Sequence, residues 1–238
     1  MPQSASGQGA ILTGINVPLR IGKHWGPKPN VAIKAILQED NLFQRLVNHG
    51  CSVALANAYP PTFLRGIESG RRGLSAIQLA INSAGVDLCT EADLRNGRAF
   101  AADFTGESWR LQLGIKDAPV LMPEEAGRRV AWASQDYELL LFDHWITDVI
   151  GHRGSMDEAI ALLERLDEVL GGILKEWRAE DGLLLIASDH GNLEDKSTRR
   201  HTNNRVPVLM MGKGHQRVIE KITDISDISP ALVAYLLG

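Results

Sequence analysis

The segment LLLIASDHGNLEDKSTRRHTNNRVPVLMMG, residues 183–212, decides the fold prediction because two apolar runs enclose a polar loop. Leu183 to Ala187 is typical of a buried strand, and Val206 to Met211 is a second run of the same kind. In an open α/β sheet, chemistry lies beyond the carboxyl end of such a strand. The loop offers a carboxylate and two imidazoles, which Zn, Mn and Fe accept as ligands, from Asp189, His190 and His201. It predicts a metal site, with a turn-capping Asp189 and two surface histidines as the alternative.

A second strand-like run, Glu138 to Phe142, leads into the sequence DHWITDVIGHRG at residues 143–154. Asp148 and His152 lie four residues apart in it. If the segment is helical, this spacing places both side chains on one face, one turn apart, as a chelating pair requires. A single pair at this spacing is weak support, but two ligand-bearing loops that each follow a strand favour a metalloprotein.

These motifs, D-x-x-x-H followed by D-H-G-N and H-T-N, resemble the alkaline phosphatase superfamily, in the metalloenzyme branch of cofactor-independent phosphoglycerate mutase and phosphopentomutase. The resemblance implies an α/β fold, a three-layer α/β/α sandwich with a mostly parallel sheet and a small inserted cap. It also implies that Ser4, in the sequence QSASGQ at residues 3–8, is the nucleophile that takes up a phosphoryl group. The alternative is that Ser4 only caps the helix predicted for residues 6–14.

The resemblance further implies two divalent metal ions, with Mn and Zn as the expected elements. It assigns one ion to Asp148, His152 and His201, and the other to Asp189 and His190 together with Ser4. In the family, the first strand ends in Asp-Gly and supplies another ligand, whereas this chain opens with Met1 just before Ser4. We therefore expect an incomplete site in the chain as given, through a start codon assigned too late, a truncation or the loss of a ligand.

Composition restricts the class of protein further. The chain has 238 residues, 44% of them hydrophobic, and a net charge of −4, which suits one large globular core and gives no basic surface for nucleic acid. No apolar run approaches the roughly 18 residues of a membrane helix, and the N-terminus lacks a signal pattern. Cys51 and Cys89 are too few for a disulfide framework. We expect a cytoplasmic protein without membrane or nucleic-acid partners.

The middle of the chain changes character after Pro60 and Pro61, where arginines become frequent. We expect a discontinuous metal-binding core at residues 1–60 and 123–238, with residues 61–122 forming the small cap. Guanidinium groups suit the recognition of phosphate or carboxylate, although a solvated surface is the alternative for any single arginine. The candidate substrate-binding residues are Arg65, Arg71, Arg72 and Arg98.

Local patterns predict several further elements. Apolar spacing predicts a helix that begins near Leu42 and stops at Gly50, and a long helix over residues 155–177 that Ser155 caps. Pro230 suits the first turn of a final helix. The glycine- and proline-rich residues 15–31 predict a loop.

The predicted function is metal-dependent phosphoryl transfer on a small phosphate monoester, through a phosphoserine at Ser4. If the cap retains the alcohol and the alcohol takes the phosphoryl group back on another oxygen, the enzyme is an isomerase, a phosphomutase. If water accepts the group, the enzyme is a hydrolase, a phosphatase. The alternative from another class is a non-catalytic metal-binding homologue that has lost its N-terminal strand and one ligand.

Overall fold

The helices of the protein are described by a computed structural model that covers residues 1–180 and 182–238. They are, in chain order, α1 (Ser4–Thr13), α2 (Val17–Ile21), α3 (Val31–Glu39), α4 (Leu42–Asn48), α5 (Pro61–Glu68), α6 (Ala76–Ser83), α7 (Glu91–Arg95), α8 (Glu107–Leu111), α9 (Pro123–Ser134), α10 (Ile146–Arg153), α11 (Met156–Glu176), α12 (His215–Ile219) and α13 (Ile228–Leu236). A short 3₁₀ helix, Ile225–Asp227, precedes α13.

The strands form three pairs within the described residues. They are, in chain order, β1 (Val53–Leu55), β2 (Ala58–Tyr59), β3 (Cys89–Thr90), β4 (Leu139–Leu141), β5 (Leu183–Ala187) and β6 (Val208–Gly212). β1 pairs with β4 and β2 pairs with β3, both in parallel, whereas β5 and β6 pair antiparallel with Leu183 opposite Gly212. Helices joined to mainly parallel strand pairs confirm the predicted α/β class.

Two apolar clusters hold the strands that lead to the candidate site. In the first, α1, α3, α4 and α6 pack around β1, and fully buried side chains such as Phe43 and Leu55 lie at its centre. In the second, α9 packs along α11 through Ala126 and Val169, with Leu184 of β5 against them. Each large apolar side chain buried in this way contributes about 1.5–3 kcal/mol to stability. The carboxyl ends of β4 and β5 are therefore held by well-packed helices.

The local predictions are confirmed for three helices, α4, α11 and α13. α4 spans Leu42–Asn48, and α11 begins after Ser155, whose hydroxyl accepts a hydrogen bond from the amide of Glu158 at 3.2 Å. Pro230 lies in the first turn of α13. The loop predicted at residues 15–31 is wrong in part, because Asn16 caps α2 and Pro18 fits its first turn.

The remaining predictions concern the cysteines, the membrane and the cap. Cys51 and Cys89 are free and half-buried. Among the described residues, no helix is both long enough and apolar enough to cross a membrane. Within residues 61–122, α6 packs into the first apolar cluster, whereas Leu94 and Trp109 belong to a separate small cluster. The division into core and cap stays a prediction.

Candidate metal centre

Three of the predicted ligands converge on one point. α10 places Asp148 and His152 on one face, and His201 approaches them from the loop between β5 and β6. The Nε2 atoms of His152 and His201 are 2.9 Å apart. The Asp148 Oδ1 atom lies 3.3 Å from the first of these nitrogens and 3.2 Å from the second. The three side chains can therefore each offer one atom to a common cation.

Backbone carbonyls determine which ring nitrogen faces this point. Nδ1 of His152 lies 2.6 Å from the carbonyl oxygen of Arg199, and Nδ1 of His201 lies 2.7 Å from that of Pro2. A carbonyl oxygen only accepts hydrogen bonds, so each Nδ1 carries a proton, and in the neutral form of each ring the Nε2 lone pair would face Asp148. Outer contacts of this kind orient histidine ligands in metal sites.

The distances among the three inner atoms fit a shared divalent cation. Two nitrogen lone pairs and a carboxylate oxygen repel one another at this separation. A proton on either Nε2 relieves the repulsion in one of the three atom pairs, whereas a cation that lies between the three atoms relieves it in all three. Bonds of about 2.0–2.2 Å from a divalent metal to nitrogen and oxygen place neighbouring ligand atoms about 2.8–3.6 Å apart, with octahedral coordination at the short end and tetrahedral coordination at the long end. The donor set of Asp148, His152 and His201 has this spacing.

The second predicted group adjoins the first. Nε2 of His190 lies 3.0 Å from Oγ of Ser4 and 3.6 Å from Oδ2 of Asp189. It is also 3.8 Å from Oδ1 of Asp148. The His190 ring stacks on the His201 ring with their centroids 3.7 Å apart. The two groups of candidate ligands therefore form one continuous centre.

Unpaired carboxylate oxygens also indicate a cation site. Oδ1 of Asp148 and Oδ2 of Asp189 are buried, and neither has a hydrogen-bond partner in the described part of the chain. Buried polar atoms are rarely left in this state, because their desolvation is costly. Burial raises the pKa of Asp189 to about 7, and the charge of Asp148 acts in the same direction. Cations bound by these oxygens would offset that cost, so the residues present fit divalent metal ions.

His190 is suited to the neutral form that binds a cation. Burial lowers the pKa of its imidazole, and this effect outweighs the opposing influence of the Asp148 carboxylate. The Nδ1 atom lies 3.4 Å from the carbonyl oxygen of Gly191, a longer contact than those of the other two rings. The ring therefore has Nε2 free to face Ser4 and Asp189.

Ser4 is the first residue of α1, and its hydroxyl faces His190. The N-cap position is occupied by Gln3, so the alternative interpretation of Ser4 as the cap of this helix is wrong. α1 also packs directly on the strand end that carries Asp189. A Cβ atom at Gly7 would lie 2.5 Å from the carbonyl oxygen of Asp189, so this approach requires glycine. The nucleophile candidate and the D-H pair are thereby held together.

Sequence reasoning missed a group of hydrogen bonds within the loop between β5 and β6, which carries His201. The Glu194 carboxylate accepts a hydrogen bond from the hydroxyl of Thr202, one from the side-chain amide of Asn204 at 3.0 Å and one from the amide of Asn192 at 2.6 Å. The amide of Thr202 donates to the carbonyl of Gly191 at 3.0 Å. Thr202 follows His201, so Glu194 fixes the position of this ligand. A glutamate two residues after D-H-G-N is the available signal in the sequence.

Asp143 is a second missed residue. It lies two residues after the end of β4, and its amide donates to Oδ1 of Asn57 at 2.8 Å while the Asn57 side-chain amide donates to its carbonyl oxygen at 2.9 Å. Burial raises the pKa of its carboxyl to about 7, and the charge of Asp189 adds to this. Its place at the end of a strand is the same signal that identified Asp189.

The four candidate arginines lie in two places. Arg65, Arg71 and Arg72 line an open depression beside α5, and the Arg72 guanidinium lies 4.9 Å from the centre of the Phe63 ring. Arg98 lies on another exposed surface, where it forms an ion pair with Asp93 at 2.8 Å. Their contact with substrate stays a prediction.

Comparison with known proteins gives the class of the ligand-bearing part of the chain. The sequence model of the Metalloenzyme superfamily matches residues 125–237. This range contains all five predicted metal ligands, Asp148, His152, Asp189, His190 and His201. Residues 125–237 are therefore similar to the metalloenzyme superfamily, and the resemblance predicted from the sequence is confirmed over this range.

Two curated relatives of the chain carry the same enzyme name. The chain is 34% identical over 110 residues to the 2,3-bisphosphoglycerate-independent phosphoglycerate mutase of Thiobacillus denitrificans, which covers 43% of this chain and 21% of that protein. It is 33% identical over 147 residues to the enzyme of the same name from Serratia proteamaculans, which covers 56% of this chain and 28% of that protein. The match thus spans about a quarter of the length of these relatives. No solved structure matches the chain.

Proposed function

We propose that the chain catalyses metal-dependent phosphoryl transfer on a small phosphate monoester, as a phosphomutase-like or phosphatase-like enzyme with Ser4 as nucleophile. The observation that carries this proposal is the 3.0 Å separation between Oγ of Ser4 and Nε2 of His190, beside the converging ligands of the first group. The mutase names of the curated relatives support the phosphoryl-transfer class.

The candidate ligands would hold two divalent ions, Mn or Zn. Asp148, His152 and His201 would hold one, and Asp189 and His190, with Ser4, would hold the other. When bound, such a pair of ions favours deprotonation of a coordinated hydroxyl and takes up charge on the oxygens of an in-line phosphoryl displacement.

The chain's own groups would direct the first step. Oγ of Ser4 loses its proton to solvent and forms a bond to phosphorus, while the bond from phosphorus to the ester oxygen breaks. The departing oxygen takes a proton and leaves as an alcohol. The phosphoryl group is then at the N-terminus of α1, where the helix dipole favours negative charge. The second step returns the group to the alcohol in a mutase or passes it to water in a phosphatase.

A chain of contacts supports a role for the arginine-rich segment in holding the substrate. The Ser6 amide, two residues after Ser4, donates to the carbonyl of Trp25 at 2.9 Å. The Trp25 indole donates to the carbonyl of Lys28 at 3.0 Å, and the Lys28 ammonium donates to the carbonyl of Gly73 at 3.0 Å. Gly73 directly follows Arg72. The arginines beside α5 are thus tied to the loop that lies over the nucleophile, and we assign them the anionic groups of the substrate.

The test replaces the nucleophile and measures chemistry and metal separately. Ser4→Ala should abolish hydrolysis of an aryl phosphate in Mn and in Zn. Mass spectrometry should detect a phosphopeptide containing Ser4 in the unaltered protein and none in the variant. Elemental analysis should show that the ion of the first group, which does not include Ser4, is retained. Ser134→Ala, in α9, is the matched control and should retain turnover. Turnover in Ser4→Ala would remove Ser4 from the mechanism, whereas bound metal without turnover in the unaltered protein would favour the non-catalytic alternative.

A further inference from the structure

Lys196 makes three hydrogen bonds that no sequence motif predicts. It lies in the loop between the D-H-G-N motif and His201. Its ammonium donates to the carbonyl oxygens of Ile150 at 2.7 Å, Gly151 at 3.2 Å and Gly154 at 2.8 Å. An ammonium has three N–H donors, so each can meet one of these acceptors. Lys196 is therefore committed to the end of α10 and does not extend into solvent.

The position of these carbonyls explains why a cation is favourable there. α10 ends at Arg153, and the last carbonyls of a helix lack partners within the helix, although the carbonyl of Ile150 also accepts from the Gly154 amide at 2.8 Å. They also form the negative end of the helix dipole, which a lysine ammonium stabilises. Lys196 supplies a charge-assisted cap from a different part of the chain, 42–46 residues away in sequence.

The cap joins the two segments that carry the first ligand group. α10 carries Asp148 and His152, and Gly151, one of the three acceptors, directly precedes His152. The loop that carries Lys196 ends at His201. The 2.9 Å separation between the two Nε2 atoms therefore depends on how α10 is placed against this loop.

Two neighbouring contacts indicate how closely these segments fit. The carbonyl oxygen of Arg199, three residues after Lys196, lies 2.6 Å from Nδ1 of His152. On the other side, a Cβ atom at Gly151 would lie 1.3 Å from Oδ1 of Asn192, so the Asn192 side chain occupies the space beside that glycine. The end of α10 thus packs against residues 192–199. The Lys196 ammonium provides the charge-assisted hydrogen bonds between the two segments.

We infer that Lys196 is a positioning residue for the metal centre. Its ammonium holds the end of α10 against the ligand loop, so that Asp148 and His152 meet His201 at the spacing a cation requires. Lys196 touches neither the metal nor the substrate in this role; it acts through His152. The inference rests on the metal centre of the proposed function and does not depend on the identity of the substrate.

The test is a titration with Co²⁺ as a spectroscopic probe. Lys196→Met removes the ammonium and keeps an unbranched side chain of similar length. We expect about 10- to 100-fold weaker Co²⁺ binding, the loss typical when an outer partner of a ligand is removed. The d–d absorption spectrum should also change, because His152 no longer approaches His201 correctly. Lys196→Arg should restore part of the affinity, and Lys34→Met, at an exposed lysine of α3, should bind Co²⁺ like the unaltered protein.

Thermal unfolding in EDTA separates positioning from general stability. The inference requires that Lys196→Met retain most of its unfolding midpoint without metal while its Co²⁺ affinity falls. An unchanged Co²⁺ affinity and spectrum would overturn it, whether or not the midpoint drops. If Lys196→Met does not fold, Lys196→Gln takes its place, and native affinity in that variant would overturn the inference equally. Failure of the unaltered protein to bind Co²⁺ would instead contradict the metal centre itself.

Discussion

The two groups of candidate ligands differ in how firmly the chain prearranges them. In the first, Asp148, His152 and His201 converge with separations of 2.9–3.3 Å. In the second, Nε2 of His190 lies 3.0 Å from the Ser4 hydroxyl but 3.6 Å from Asp189. The first group therefore has the spacing of a formed coordination site, whereas the second is wider around its carboxylate.

The hydrogen bonds from the Nδ1 atoms of the three histidines to backbone carbonyls show the same difference between the two groups. His152 and His201 each place Nδ1 within 2.7 Å of a backbone carbonyl, while the corresponding contact of His190 is 3.4 Å. A short bond from Nδ1 orients the ring and fixes its tautomer, so it lowers the entropic cost of binding a cation. We expect the first group to bind its ion more tightly, and the second to tolerate the movement that attack by Ser4 requires.

Addition of metal should give the largest effect. A ligand that binds only the native state at a thousandfold excess over its Kd stabilises by about 4 kcal/mol. For a chain of this size that corresponds to a rise of about 8–16 °C in the midpoint of thermal unfolding. The comparison predicts that Asp148→Asn loses most of this rise in Zn or Mn, whereas Ser4→Ala retains most of it. Equal losses in the two variants would mean that the groups bind equally well.

Removal of a ligand from the first group should give the next largest effect. His201→Ala deletes one of three inner nitrogen and oxygen donors, and the imidazole is almost fully buried. Affinity for the tighter ion should fall by more than the about 10- to 100-fold loss that follows removal of an outer partner. Competition with a chelating dye measures it, with His49→Ala, at the exposed C-cap of α4, as control. Native affinity in His201→Ala would exclude this histidine as a ligand.

A change at Gly7 should affect the second group selectively. In Gly7→Ala the added Cβ would lie 2.5 Å from the carbonyl of Asp189, so α1 must shift away from that strand end. Overpacking of this kind costs about 1–3 kcal/mol of stability. Turnover should fall sharply while the tighter ion is still bound. Gly9→Ala, whose added atom meets only ordinary van der Waals contact at 3.4 Å, is the matched control. Loss of the tighter ion in Gly7→Ala alone would contradict the separation of the two groups.

The sequence predicted the parts of the site that depend on short-range geometry. The spacing of Asp148 and His152 has a direct meaning once the segment is helical, and α10 spans both. Asp189 and His190 follow the apolar run that forms β5. The same holds for α11, whose cap and apolar stripe lie within one segment. In each case the residues that interact are neighbours along the chain.

The parts that sequence reasoning missed depend on distant partners. Lys196 binds backbone carbonyls, which every residue has, so its acceptors leave no mark in the sequence. The pairing of Asn57 with Asp143 joins strand ends 86 residues apart. α2 was missed for a different reason: composition at residues 15–31 favours a loop, yet Asn16 and Pro18 occupy positions that begin a helix.

The smallest effect should come from Glu194, which acts on the first group only through the loop that carries His201. Glu194→Gln keeps the shape of the side chain but replaces one accepting oxygen with a donor, so the contacts of Thr202 and Asn204 to Oε1 cannot persist together with the contact of the Asn192 amide to Oε2. A net loss of about 0.5–1.5 kcal/mol per hydrogen bond is typical, and exposure of this side chain favours the lower end. Affinity for the tighter ion should therefore fall only a few-fold, with little change in unfolding in EDTA.

Asp195→Asn is the matched control, because the Asp195 carboxylate bonds only to neighbouring Ser197 among the contacts seen in the described residues. Both variants lose one charge from the same loop, so a general electrostatic effect would weaken binding equally in the two. A specific effect in Glu194→Gln requires that the position of Thr202, and hence of His201, be transmitted to the ion. If Glu194→Gln and Asp195→Asn bind alike, the short Nδ1 contact of His201 with the Pro2 carbonyl is sufficient to orient the ring, and His201 does not depend on Glu194 for its position.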